Sequence, residues 1–165
     1  KALWKFKVFL CNFLTIFDFQ KLKIMYEFIQ KAHSGWAYLV IAFLAIAVIN
    51  AFIGLFSNKD FTGKDRKIAL FALIFTHIQL LFGLVLYFVS SRGFKSLGEM
   101  SDPTARLTSL EHPLINIIAV VLITIGWSKH KKITTSNTQF KTFAIFYTIG
   151  LVLILSRIPY KLWFN

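Results

Sequence analysis

Two histidines carry the strongest chemical lead in this sequence. His33 stands in KAHSGWAYLV and His112 in RLTSLEHPLIN, each at the head of a long apolar run. Pro113 follows His112 directly, and proline suits the first turn of a helix because the N–H it lacks would have no partner there. His112 is therefore expected at the outer edge of a membrane helix, with Asn116 one turn further in on the same face. Two imidazoles at matching depth on two helices can hold a metal-centred cofactor between them. Bis-imidazole ligation of haem needs such a pair, with the macrocycle edge-on between helices. A histidine at a helix mouth can equally hydrogen-bond a neighbour such as Glu111, or serve another metal. The short list of candidate ligands favours haem over zinc, whose closed sites take four N, S or O ligands.

The elements that would position this pair are membrane helices. The chain has 165 residues, of which 56% are hydrophobic and 17% aromatic, with a mean hydropathy of +0.64. Its apolar residues gather in runs of about 20, the length that crosses roughly 30 Å of hydrocarbon. A formal net charge of +12 could suggest nucleic acid, but Lys and Arg lie in short loops between apolar runs. No basic stripe interleaved with exposed aromatics is present, so the charge reads as membrane orientation rather than nucleic-acid binding. The lone cysteine, Cys11, excludes an intramolecular disulfide, a CxxC redox site and a Cys-rich metal site.

Residues 1–24 do not fit the rest. Their apolar part, residues 8–19, is too short to span and carries Asn12 and Asp18. No small-residue cleavage site follows it, as a secretory signal would require. This stretch is expected to be an upstream or disordered extension, leaving residues 25–165 as the four-helix domain. The first span is expected over residues 28–56, with Gly35, Ala37, Ala42, Ala45, Ala47, Ala51 and Gly54 allowing neighbouring helices to approach closely. Trp36 and Tyr38 suit the membrane interface. The second span covers residues 68–89. The third has only the apolar run 114–127, roughly 21 Å of helix, and so must begin earlier, near Thr108. The fourth covers residues 142–155.

Positive charge sets the orientation. The loops after the first and third spans carry eight Lys and Arg between them: Lys59, Lys64, Arg66, Lys67, Lys129, Lys131, Lys132 and Lys141. The loop after the second carries three, Arg92, Lys95 and Arg106. The two rich loops are expected in the cytoplasm and both termini outside, in an all-α, up-down-up-down bundle.

Polar side chains inside spans are costly and face the bundle interior. His33 and His112 fall on helices one and three, which are commonly diagonal in such a bundle. Lys31, Arg106 and Arg157 lie on the same outer side, where they could pair with haem propionates. His77 sits deeper in its span and has three open roles: a structural hydrogen bond to Asn50, Asn116 or Tyr147, a quinone or proton role, or haem ligation in place of one of the outer pair. His130, between Lys129 and Lys131, is expected to be solvated. Asn50 and Asn116 are expected to hydrogen-bond between helices. Glu111 could orient His112, and Thr108-x-x-Glu111 also fits a capping box.

Residues 25–39 (MYEFIQKAHSGWAYL), 65–88 (DRKIALFALIFTHIQLLFGLVLYF), 106–132 (RLTSLEHPLINIIAVVLITIGWSKHKK) and 156–164 carry a resemblance. Over them the chain resembles a family of small bacterial four-helix membrane proteins labelled cytochrome b-like. The helix-mouth pair also resembles half of a haem A synthase, but the glutamate which that family carries before its helical His-Arg pair is missing here. The resemblance implies haem b and a bacterial inner-membrane location. The resulting expectation is a haem b-binding electron-transfer protein or subunit, with His33 and His112 as axial ligands and His77 in reserve. The alternative from another class is a non-redox structural or assembly subunit of a membrane complex. No independent catalytic motif is present. The partners expected are the lipid bilayer, with a quinone, a redox subunit or a second copy as further candidates.

Overall fold

The computed structural model describes residues 2–163, with side chains from residue 20 onward. It consists of helices α1 (Ala2–Phe56), α2 (Gly63–Val89), α3 (Pro103–His130) and α4 (Ser136–Ser156), closed by one turn, α5 (Tyr160–Trp163). A short 3-10 turn, Phe94–Ser96, interrupts the long loop before α3, and no strand occurs among the described residues. The segment Gln20–Phe56 and helices α2, α3 and α4 are each long and apolar enough to cross a membrane. Large apolar side chains such as Ile49, Ile53, Phe71, Val121 and Val152 point outward. That surface suits lipid as solvent, and the fold is a multi-pass membrane bundle.

The helices form a ring. α1 packs on α2 and α4, and α3 packs on the same two, so α1 and α3 face each other diagonally, as the up-down reading requires. Residues 20–25 of α1 are all exposed. The expectation for residues 1–24 otherwise falls on side chains outside the described residues.

Small residues let the ring close at its Lys-rich end. Ala47, Ala51, Ala69, Ala72, Ala119 and Ala144 are buried there, around Ile123, Phe143 and Tyr147. Gly54 lies directly against the Phe140 ring, and a Cβ on Gly150 would come within 2.6 Å of Ile123. Tyr147 donates to the Ala69 carbonyl at 3.0 Å, tying α4 to α2 across the centre. Asn50 donates to Asp65 at 3.0 Å, the inter-helix bond its position implied. Trp36, read as an interfacial residue, instead turns inward: it stacks on Phe75 with centroids 4.9 Å apart and donates to the Phe75 carbonyl at 3.0 Å. That bond satisfies the indole N–H, which makes the inward position tolerable.

The third helix starts earlier than Thr108. Asp102 caps it, accepting from the Thr104 N–H at 2.8 Å, and Pro103 occupies the first turn. This is a stronger start signal than Thr108-x-x-Glu111 because both cap and proline are in register. Thr108 donates instead to the Thr104 carbonyl at 3.0 Å, so the capping box expected there does not form. Pro113 consequently lies inside a continuous helix, where its ring and missing N–H conflict with the regular ladder. The helix answers with a π turn over Leu107–Glu111, in which the His112 N–H reaches back to Leu107.

Candidate functional site

The bundle is solid at the Lys-rich end and hollow at the other. A chamber of about 470 Å³ opens above Thr76 and Val120, walled by α1, α2 and α3 and roofed by Ile158, Pro159, Leu162 and Trp163. Each helix presents one face to it. On α1 these are Tyr26, Gln30, His33, Ala37 and Val40; on α2, Thr76, Gln79 and Gly83; on α3, Ser109, His112 and Asn116. The spacings of three, four and seven residues are those of a single helical stripe. The roof is held by Trp163, which donates to the Ser34 carbonyl at 3.3 Å and packs on Tyr38 with centroids 4.6 Å apart.

The structure brings His33 and His112 together. Their ring centroids are 6.2 Å apart and their planes cross at 79°. His112 Nδ1 lies 2.7 Å from the Arg157 carbonyl, an atom that can only accept, so Nδ1 carries the proton and Nε2 the lone pair. The Asn116 amide, 3.2 Å from the same Nδ1, therefore cannot donate to it and instead donates to the His112 carbonyl at 2.6 Å. Asn116 thus stays within its own helix rather than bridging two. Gln79 plays the matching part for His33, donating from α2 to the His33 carbonyl at 3.0 Å. His33 Nδ1 and Gln79 Oε1 are buried without a hydrogen-bond partner among the described residues. Gly83 leaves the ring room, since a Cβ there would sit 3.2 Å from His33 Cε1.

The other sequence-derived residues lie elsewhere. His77 does not line the chamber. Its Nδ1 bonds the Leu73 carbonyl of its own helix at 2.8 Å, and Thr124 Oγ1 approaches Nε2 at 3.4 Å with its own proton already given to Val120. The partners considered for it are engaged: Asn50 with Asp65, Asn116 with His112 and Tyr147 with Ala69. Arg106 and Arg157 pair with Glu111 at 3.1 and 3.4 Å and do not line the chamber. Arg92 is the arginine that does. Glu111 therefore does not hold His112 itself. Its ion pair with Arg157 steadies the C-terminus of α4, whose carbonyl holds the imidazole.

His130 is not solvated. It is 2% exposed, packed on Trp127, Phe143 and Phe61, with Nδ1 bonded to the Trp127 carbonyl. Its lysine neighbours in sequence lie over other rings, Lys129 over Phe146 and Lys131 over Trp127.

The donor set fits a bis-imidazole group. Two imidazoles from diagonal helices converge, one oriented by a backbone carbonyl, the usual way a ligating histidine is held. The other keeps an unpartnered ring nitrogen. No cluster of three or more His, Cys, Asp or Glu capable of holding a metal occurs among the described residues. Removal of Glu111 tests the orienting chain. Glu111→Gln should cost less than about 1 kcal/mol of stability, as part-exposed ion pairs do. It should nevertheless shift the side-chain ¹⁵N resonances of His112 toward a mixture of tautomers; unchanged resonances would show that Arg157 is held without Glu111. No family model, curated protein or solved structure matches the chain.

Proposed function

We propose that the chain is a membrane electron-transfer protein or subunit that holds one haem b between His33 and His112. The observation that carries this reading is the meeting of two imidazoles, 6.2 Å between centroids, from diagonal helices on one apolar chamber. It agrees with the cytochrome b-like resemblance of residues 25–164. His33 and His112 would hold the group through their ring nitrogens. The Arg157 carbonyl keeps the His112 proton on Nδ1, which leaves Nε2 for the metal. Gln79 fixes the backbone of α1 at His33, and Leu80, Ile117 and Val120 give the chamber apolar walls. Arg92 offers a cation at the wall for carboxylates. When bound, haem supplies a reversible one-electron couple tuned by these ligands and by burial.

Low-temperature electron paramagnetic resonance of the oxidised protein tests the arrangement. Imidazole planes crossed near 79° predict a strongly anisotropic low-spin signal. A rhombic signal typical of parallel imidazoles, or a high-spin signal, would contradict it.

The same reading sets the protein in a bacterial inner membrane, with the Lys-rich end in the cytoplasm and the chamber outside. In a Cys11→Ser background, Ser96→Cys should react with an impermeant thiol reagent in intact cells and Asn137→Cys should not. The reverse pattern would invert the orientation.

A further inference from the structure

We propose that the Lys-rich end carries a separate phosphate-binding site, built by Arg66, Lys131 and the first turn of α2, that takes the headgroup of an anionic phospholipid. A recess of about 400 Å³ lies between α2 and α3, lined by Thr62, Gly63, Arg66, His130, Lys131 and Gln139. Arg66 and Lys131 are both held over the Trp127 ring, 5.7 and 5.3 Å from its centroid. One indole thus holds both cations within cation–π range, and both line the recess. Neither forms an ion pair among the described residues. The nearby carboxylate does not neutralise them: Asp65 is 2% exposed, does not line the recess and is occupied by Lys59, Thr62 and Asn50.

The first turn of α2 adds donors. Its capping box uses the Asp65 N–H and the Thr62 N–H, while the Arg66 N–H is bonded to the Thr62 carbonyl. Gly63 and Lys64 are left with N–H groups that have no acceptor among the described residues, and the space beside Gly63 is open. Helix-start amides next to an arginine fork form an anion-binding geometry. His130 underlies the recess, with Nδ1 bonded to Trp127 and Nε2 without a hydrogen bond among the described residues. Arg and Trp at the end of two membrane spans also stand where lipid headgroups lie. The site is remote from the histidine chamber and does not depend on haem.

The test uses the full chain in detergent, with short-chain phosphatidylglycerol, phosphatidylcholine and inorganic phosphate as probes and binding read by native mass spectrometry. Wild type should retain phosphatidylglycerol over phosphatidylcholine, and Arg66→Gln with Lys131→Gln should reduce that retention by ~10-fold or more. The control, Lys67→Gln with Lys141→Gln, removes equal charge from exposed positions at the same end that do not line the recess, and should leave it nearly unchanged. Arg66→Lys keeps the charge but loses the fork, and should give an intermediate loss in a protein whose fold is undisturbed. Displacement of the lipid by millimolar inorganic phosphate, again only in the wild type, would assign the phosphate site to the free ion as its natural ligand. Equal losses in both double variants, or no preference for the anionic lipid, would overturn the site.

Discussion

His33→Ala and His112→Ala should each abolish the low-spin haem spectrum, while His77→Ala leaves it intact. The first two remove one of the two nitrogens that meet across the chamber, and a single remaining imidazole cannot give bis-histidine ligation. His77 points away from the chamber and is bonded to Leu73, so its loss removes no ligand. The nearest rival pairs His77 with one of the chamber histidines. Loss of haem in the His77 variant, beside a normal spectrum in the His33 variant, would establish that rival. Circular dichroism of each variant separates ligand loss from misfolding.

The largest stability effect is expected at Asp65, remote from the chamber. Its carboxylate accepts from Asn50 at 3.0 Å, Lys59 at 2.6 Å, and the Thr62 N–H and hydroxyl at 2.9 and 2.6 Å. These bonds close the loop between α1 and α2 and cap α2. Asp65→Ala removes the acceptor of the half-buried Asn50 amide, of the Thr62 N-cap and of the half-exposed Lys59 ammonium. The expected cost is about 2 kcal/mol, because several hydrogen bonds to one buried carboxylate are lost together while the Lys59 side of the pair is half exposed. Thermal unfolding in detergent should show a clear drop in Tm. Asp60→Ala, at an exposed position of the same loop, should change it by less than about 0.5 kcal/mol. Equal effects would mean that loop charge, rather than the buried network, stabilises the turn.

The helices and the histidine pair were legible in the sequence because both rest on one-dimensional signals. Apolar run length fixes the spans, and short loops make helices one and three diagonal, which brings His33 opposite His112. The positions of the other polar residues depended on rotation about each helix. Thr76, Gln79 and Gly83 recur at three and seven residues and define the chamber face of α2, and His77 falls outside that stripe. Tracing the stripe from Gln79 would have separated the two. The charged neighbours of His130 in sequence suggest a solvated ring, yet Phe143 and Trp127 shelter it and its Nδ1 is satisfied by a backbone carbonyl. Arg106 and Arg157 were assigned by depth alone. Glu111, within reach of both, claims them in the fold. The π turn before His112 follows from Pro113 lying deep in a helix that starts at Pro103, which the apolar run beginning at Leu114 concealed.

The reduced-minus-oxidised absorption spectrum of the purified chain, expressed with haem in excess, tests haem binding by the histidine pair most directly. Sharp visible bands of low-spin haem b are expected, at one haem per chain by pyridine haemochrome assay. A well-folded, helical protein that purifies without haem, and gains no such bands when haemin is added, would contradict haem binding by the pair.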